Sequence, residues 1–292
     1  MISAGQNTGF STNKTLNLNG KLLSLQTPLI MGVLNVAPDS FYDGGRYVDE
    51  NSIIKQTEKI LLEGATIIDV GGYSSRPGAS DLSQEEEQKR VIPTIQLIKK
   101  HFDKAVISID SFRSAIVRQA VDEGAQLVND ISGGELDDKI FSTVSELKVP
   151  YICMHMKGTP AIMKSLATYD NMLYDIISYF HQKISALHTL GVRDVIIDPG
   201  FGFAKTVEQN FLLLNSLEQL HILEKPLLVG LSRKSMIWKT LDITPDLALN
   251  GTTALNMAAL IKGATIIRVH DVKEGLETIK LFSNLSPAHN RV

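Results

Sequence analysis

Between Thr265 and Asp271 the chain reads TIIRVHD, and a single valine separates Arg268 from His270 at the end of an apolar, β-branched run. In an extended strand, residues two apart project to the same side, so the guanidinium and the imidazole would sit together. Such a pair offers several donors to a phosphate or carboxylate. A solvent-exposed strand end is the plainer alternative. The arrangement recurs: other apolar runs end on Asn35, Asp69, Asp110, Asn129 with Asp130, His155, Asp198, and Ser232 with Lys234 nearby. Carboxylates and amides suit ring nitrogens and an amino group, and the cations suit phosphate. Singly, each residue can be a helix cap or a satisfied rim group, and Asp69, Asp130 and His155 can also be read as no more than that.

Two other motifs carry no such promise. PGFGFAKT has the look of a phosphate loop, but the glycine required before the lysine is Ala204 and the first glycine is misplaced. His181 and His188 stand two helical turns apart, the spacing of a solvated helix face. No clustered Cys/His pattern points to zinc.

The runs that end in these polar residues are LIMGVLN, TIIDV, AVISID, QLVND, PYICMH, DVIID, PLLVGLS and TIIRVH, eight in all. Continuous apolar runs of this length predict strands buried on both faces, as in a parallel sheet. Segments with helical spacing, such as SIIKQTEKILLEG and SAIVRQAVDEG, lie between them. EGATIID, EGAQLVND and KGATIIRV each place a glycine after a helix and just before a strand, where a left-handed helix terminus is expected. Eight β–α units without a break in composition predict one closed (β/α)8 TIM barrel, over residues 15–283, rather than a doubly wound sheet. In such a barrel the polar strand ends share one mouth, where the site belongs.

Ahead of the barrel, TLNLNGKLLSL predicts a small hairpin turning at Asn19-Gly20 and capping the barrel's bottom. Residues 1–14 read as a flexible tail and 284–292 as a second one. Gly44-Gly45, Gly71-Gly72 and Gly133-Gly134 follow strand ends. PDSFYDGG and YSSRPGAS are the longest of these loops and look able to close over a ligand. For Gly133-Gly134, a simple turn and a mobile loop are equally open.

At 292 residues, with 43% hydrophobic and 21% charged residues, the chain has the profile of a soluble globular protein. A net charge of −3 gives no sign of nucleic-acid binding, and no apolar run approaches a membrane span. The polar N-terminus lacks the apolar core of a signal peptide. The lone Cys153 sits in the apolar stretch YICM, so it reads as a buried thiol in a reducing, cytoplasmic setting.

Taken in order, MGVLNVAPDSFYDGG, DVGGYSSRPGA, IDSFRSAIVRQAV, VNDISGG, CMHMKGTP, IIDPGFGFAKT, LVGLSRKSMI and IIRVHDV closely resemble the motifs of the dihydropteroate synthase family. The resemblance runs from the leading hairpin to about residue 280. It implies a (β/α)8 barrel that joins 6-hydroxymethyl-7,8-dihydropterin diphosphate to 4-aminobenzoate, releasing diphosphate and giving dihydropteroate for folate synthesis. Matching positions imply that Asp110, Asn129 and Asp198 bind the pterin edge with Lys234 beside the ring. Asn35 would help hold a Mg2+ that bridges the diphosphate, and Arg268 and His270 would bind that diphosphate. Ser75, Arg76 and Pro77, with Phe41, would order around the substrates, while Ser232 and Phe203 line the aminobenzoate side. A cytoplasmic homodimer and a sulfonamide target are implied as well.

Three departures stand out: Ala37 where the family usually has Thr, Tyr73-Ser74-Ser75 where Glu-Ser-Thr is usual, and Ala204 in place of glycine. None removes a polar strand end. Two rivals are a methyltetrahydrofolate-dependent methyltransferase barrel, which has no use for a diphosphate clamp, and a silent pterin-binding paralogue, which would be expected to have lost strand-end residues.

Overall fold

The computed structural model describes residues 14–36, 42–43, 47–72, 82–159 and 162–285. The chain opens with β1 (Thr15–Leu18) and β2 (Lys21–Ser24), an antiparallel hairpin. Its turn residues Asn19 and Gly20 have φ of 51° and 87°, the paired left-handed conformation that an Asn-Gly turn supplies. The first barrel strand is β3 (Leu29–Asn35), followed by a short antiparallel ladder, β4 (Tyr42–Asp43) with β5 (Tyr47–Val48). The remaining strands are β6 (Ile67–Gly71), β7 (Val106–Asp110), β8 (Leu127–Asp130), β9 (Tyr151–Met154), β10 (Val195–Asp198), β11 (Leu228–Val229) and β12 (Ile266–Val269).

One eight-stranded sheet runs β10-β9-β8-β7-β6-β3-β12-β11, every pair parallel, and a bridge between Ile197 and Leu227 joins its ends. This is the (β/α)8 barrel, nearly closed, and its eight strands are the eight apolar runs. The run PLLVGLS pairs with β12 over Leu228–Val229 and meets β10 at the single Ile197–Leu227 bridge. The helices are α1 (Glu50–Leu62), α2 (Gln84–His101), α3 (Ser114–Asp122), α4 (Ile140–Leu147), α5 (Met172–Thr189), α6 (Val207–Asn215), α7 (Ser235–Thr240), α8 (Leu249–Ile261) and α9 (Val272–Leu285). Gly64, Gly124 and Gly263, at φ of 99°, 107° and 91°, end α1, α3 and α8 in the left-handed turn their position predicted.

Two apolar layers follow from strand alternation. Outward residues such as Ile30, Ile68, Val70, Ile107, Ile109, Val195 and Ile197 pack against helix residues including Ile53, Ile60, Val91, Ile95 and Val117. Inward residues near the strand starts, among them Met31, Ile67, Leu127, Ile152, Ile196, Leu228 and Ile266, form a separate cluster with Leu16, Leu18 and Leu25. The hairpin therefore plugs the barrel's N-terminal end. No helix among the described residues is long and apolar enough to cross a membrane.

Candidate active site

The polar residues of the mouth stand in the same inward columns as that plug. Asp69 comes two residues after Ile67, Asn129 two after Leu127, Asp198 two after Ile196 and Arg268 two after Ile266. A two-residue step returns a side chain to the same face, so these groups point into the barrel. In β7, Asp110 closes the column that starts at Val106, and it lies opposite Asn129 across the β7–β8 ladder. On its other side it faces Gly71, where an added Cβ would stand 3.3 Å from the Cβ of Asp110. Glycine there leaves room for the carboxylate.

Arg268 joins the columns. Its Nε donates to Asp69 Oδ2 at 2.7 Å and its Nη2 to Asp110 Oδ2 at 2.8 Å. Asn129 Nδ2 donates to the same Asp69 oxygen at 2.9 Å. Asp69 is fully buried and its second oxygen, Oδ1, has no partner among the described residues. Two carboxylates thus share one guanidinium in a place where charge is poorly solvated. Burial first, and the Asp69 charge next, push the Asp110 carboxyl up to about 7 despite the neighbouring Arg268. Burial disfavours the Arg268 cation, but the two carboxylates outweigh it and hold the guanidinium protonated.

A second cluster sits across the mouth. Asp198 Oδ1 accepts from the Gly200 amide at 2.8 Å, and burial raises its carboxyl, with Lys234 opposing. Lys234, at the start of α7, is pulled down to about 8 by burial. Its ammonium donates to the Phe201 carbonyl and lies 4.8 Å from the centre of the Phe203 ring. Ser232 and Phe203 are buried beside it. Ser232 Oγ is 3.0 Å from His270 Nδ1 and accepts from the His270 amide at 3.2 Å, so the exposed imidazole is tied to the neighbouring strand end. Asn35, half-buried, ends β3 in register with Gly71. Phe41, Ser75, Arg76 and Pro77 lie outside the described residues, as do Ala37 and Tyr73.

A family model described as pterin binding enzyme matches residues 31–270 of this chain. The dihydropteroate synthase of Escherichia coli K12 is 39% identical over 275 residues, which cover 93% of this chain and 97% of that protein. The Synechocystis dihydropteroate synthase is 42% identical over 259 residues, covering 88% and 89%. The chain belongs to the dihydropteroate synthase family. Solved members superpose closely. The Yersinia pestis dihydropteroate synthase in a sulfonamide drug complex matches with a TM-score of 0.87 at 37% identity, covering 94% of this chain and 99% of that one. The Xanthomonas albilineans dihydropteroate synthase with 4-aminobenzoic acid gives 0.87 at 33%, with the same coverage.

Within this dihydropteroate synthase mouth the three residues open to a plain structural reading divide. Asp130 is structural: it accepts from Tyr151 Oη at 2.6 Å, from the Ser132 amide and hydroxyl at 2.7 Å each, and from the Gly134 amide at 2.9 Å. That turn is fixed, since a Cβ on Gly133 would stand 2.0 Å from Tyr179 Oη. Asp69, by contrast, belongs to the site. His155 is buried and faces Lys205 rather than the mouth's charges, with Nζ and Nδ1 3.0 Å apart; burial, then Lys205, lower its pKa to about 2. His188 of α5 pairs with Lys225 at 3.0 Å, away from the site.

One supporting group carries no mark in the sequence. Glu87 of α2 is fully buried and pairs with Arg113, whose Nη2 also donates to the Leu82 carbonyl at 2.6 Å. Arg90 Nη1 donates to the Gly72 carbonyl at 3.3 Å. Arg90 of α2 thus holds Gly72, and Arg113, itself paired with Glu87 of α2, holds Leu82. Inside QEEEQKR, a solvated charge run by appearance, nothing distinguishes Glu87 except its helical spacing with Val91 and Ile95.

Proposed function

We propose that this mouth carries out its family's reaction, joining 6-hydroxymethyl-7,8-dihydropterin diphosphate to 4-aminobenzoate to give dihydropteroate and diphosphate in folate synthesis. The observation that carries the reading is the Asp69–Arg268–Asp110 network, buried at Asp69 and partly buried at the other two, with Asn129 at its edge. It presents acceptors, an amide and a cation within one water-poor cup. Asp110, Asn129 and Asp198 supply the donor and acceptor edge for the pterin, and Lys234 lies beside the ring. Arg268 spends two of its five N–H donors on carboxylates. The others, with His270 on the rim, serve the diphosphate. Ser232 and Phe203 bound the aminobenzoate side, and by sequence Phe41, Ser75, Arg76 and Pro77 complete the cover.

The residues fit an electrophilic transfer. As the bond between the pterin methylene carbon and the diphosphate oxygen breaks, the electron pair leaves with the diphosphate and the ring system becomes cationic. The ionised Asp110 stabilises that cation while Arg268 offsets the charge on the leaving group. The neutral amine of aminobenzoate then forms the new C–N bond and gives up a proton. No protein nucleophile is needed, and burial keeps the Cys153 thiol firmly protonated.

Mg2+ normally takes one or two protein oxygens and completes its shell with waters and substrate phosphates. Among the described residues there is no cluster of three His, Cys, Asp or Glu side chains that would hold a metal unaided. The single amide oxygen of Asn35 at the mouth suits the sparser arrangement, and Asn35 would hold the ion. A bound Mg2+ would add Lewis-acid neutralisation of the diphosphate oxygens.

Diphosphate release with both substrates present tests the reading. Release that requires aminobenzoate supports it; methyl transfer from methyltetrahydrofolate, or pterin binding without turnover, would replace it. Narrower expectations go with it: sulfonamides compete with aminobenzoate, the protein is a homodimer, and it works in the cytoplasm. The sulfonamide in the Yersinia relative supports the first. Exposed Leu62, Ile261 and Leu281 on the outer helices agree with the second, which sedimentation tests. The unpaired Cys153 agrees with the third.

A further inference from the structure

The lysine of PGFGFAKT, set aside as a phosphate ligand, turns inward. Lys205 is buried, and its Nζ lies 3.0 Å from the Gly200 carbonyl, 3.1 Å from the Phe203 carbonyl and 3.0 Å from His155 Nδ1. An ammonium has three N–H donors, and here each has one acceptor. Two of the acceptors belong to the loop that follows β10, and the third belongs to the residue just past β9. His155 is itself wedged edge-on against Tyr179, with ring centres 5.0 Å apart, and lies 6.2 Å from Tyr169. Burial keeps it a neutral imidazole, and in the tautomer protonated at Nε2 its Nδ1 accepts from Lys205.

The loop so gripped has an unusual backbone. Gly200, Gly202 and Ala204 all have positive φ, at 70°, 80° and 48°, alternating with Phe201 and Phe203. A segment with three left-handed residues in five holds its shape only if its polar groups are tied from outside. Asn210 of α6 ties the middle, accepting from the Gly202 amide at 2.7 Å. Tyr169 ties the end by donating to the Ala204 carbonyl at 3.0 Å. Lys205 ties the two carbonyls that bracket Phe201 and Phe203. Those two residues meet Lys234, one through its carbonyl and the other through its ring.

We infer that Lys205 is a positioning residue for the second substrate: by gathering the Gly200 and Phe203 carbonyls against His155, it sets the Phe203 ring and the Phe201 carbonyl where Lys234 and the aromatic amine need them. Asp198 accepts from the Gly200 amide, so the loop's first residue also touches the pterin side, and the larger effect is expected where Lys205 holds the Phe203 carbonyl. The inference rests on the proposed synthase reaction with Phe203 on the aminobenzoate side.

The test is steady-state kinetics of Lys205→Met, a side chain of similar length without donors, against wild type, each substrate varied in turn. The KM for 4-aminobenzoate should rise about tenfold, the loss of roughly one charge-assisted contact's worth of order, while the KM for pterin diphosphate stays within about twofold. Thermal melting of the same samples separates global instability from this split. If Lys205→Met is recovered only as aggregate, His155→Leu, which leaves the lysine but removes one acceptor, should show the same split at about threefold. Both constants unchanged, or both raised equally, would overturn the positioning role. Failure of wild type to release diphosphate would instead overturn the reaction on which it rests.

Discussion

The two ends of the barrel interior are built on the same columns and solve opposite problems. At the bottom, Ile67, Leu127, Ile196 and Ile266 meet Leu16 and Leu18 of the hairpin in an apolar cluster. One step up, Asp69, Asn129, Asp198 and Arg268 occupy the equivalent inward positions and satisfy one another only in part, since Asp69 Oδ1 has no partner among the described residues. Burying apolar surface stabilises by about 25 cal/mol per Å2, whereas burying charge costs several kcal/mol per ion before pairing returns it. The bottom therefore secures the fold. The top carries the unsolved electrostatics that a cationic transition state can use, and the two are separated by a single pleat.

The largest break in this comparison comes from Arg268→Ala, which leaves the buried Asp69 and the partly buried Asp110 without their cation. A stability loss of about 3–5 kcal/mol at neutral pH is expected. Without the guanidinium the Asp110 carboxyl titrates higher still in the folded state, so the deficit is greatest where it must ionise and shrinks as the pH falls. Urea unfolding near pH 5 and near pH 8 checks this; an equal deficit at both would mean that the network is not charge-balanced through Arg268. Calorimetry should show pterin diphosphate binding weakened at least about tenfold. Pterin alone should weaken less, through displaced Asp110, and Lys at 268 should restore only part of the loss because it cannot fork between two carboxylates.

The opposite end should behave in the opposite way. Leu16→Ala removes a fully buried plug residue. About 2–4 kcal/mol of stability should be lost, independent of pH, with kcat and both KM values unchanged at a temperature where the variant remains folded. A change in kcat would show that the plug and the mouth are coupled through the strands after all.

This division was legible in the sequence to an uneven degree. The runs gave away their strand identity because a parallel barrel buries both faces and leaves a continuous apolar signal, and the C-terminal polar residues announced the mouth. Parity was the weaker signal. Asp69 stands mid-strand in TIIDVGG, where a cap or rim role looked adequate; counting two residues from Ile67 assigns it to the interior with Arg268. Arg268 itself read as an anion clamp alone, because its partners come from β6 and β7, far away in sequence. Glu87 and Lys205 were hidden for another reason. Their environment is made by tertiary contacts across loops, and a buried Glu in QEEEQKR or a buried Lys in FGFAKT has no local mark.

The mouth's electrostatics should appear in the pH dependence of both stability and rate, with opposite signs. Asp110, pushed up to about 7 in the folded state, has an unfolded value near 3.9. Its contribution to stability is complete below the lower value and is lost as the pH rises through about 7. The rate needs the ionised form, so kcat/KM for pterin diphosphate should climb through that same window. It should then decline as Lys234, pulled down to about 8, loses its proton. Asp110→Asn should abolish the rising limb, lower the rate throughout, and flatten the fall in stability over the acid-to-neutral range. A rising limb that survives in Asp110→Asn would assign that titration to the substrate or to another carboxyl.

The smallest effect tests whether backbone strain also differs between the ends. At the bottom, the left-handed turn position carries Asn19 at φ 51°, a residue type that tolerates this conformation. At the top, Ala204 adopts φ 48° where the family usually has glycine. An alanine held there costs about 1–2 kcal/mol relative to its preferred backbone. Glycine would remove that cost but would also give the unfolded chain more freedom, worth about 0.4–1 kcal/mol. Ala204→Gly should therefore stabilise by about 0.5–1 kcal/mol, raising the melting temperature by about 1–2 °C. Asn19→Gly has less strain to relieve while meeting the same entropic penalty, so it should be neutral or slightly destabilising. Scanning calorimetry of the two variants side by side decides the point. Equal shifts would mean that the loop bearing Phe203 is no more strained than an ordinary hairpin turn.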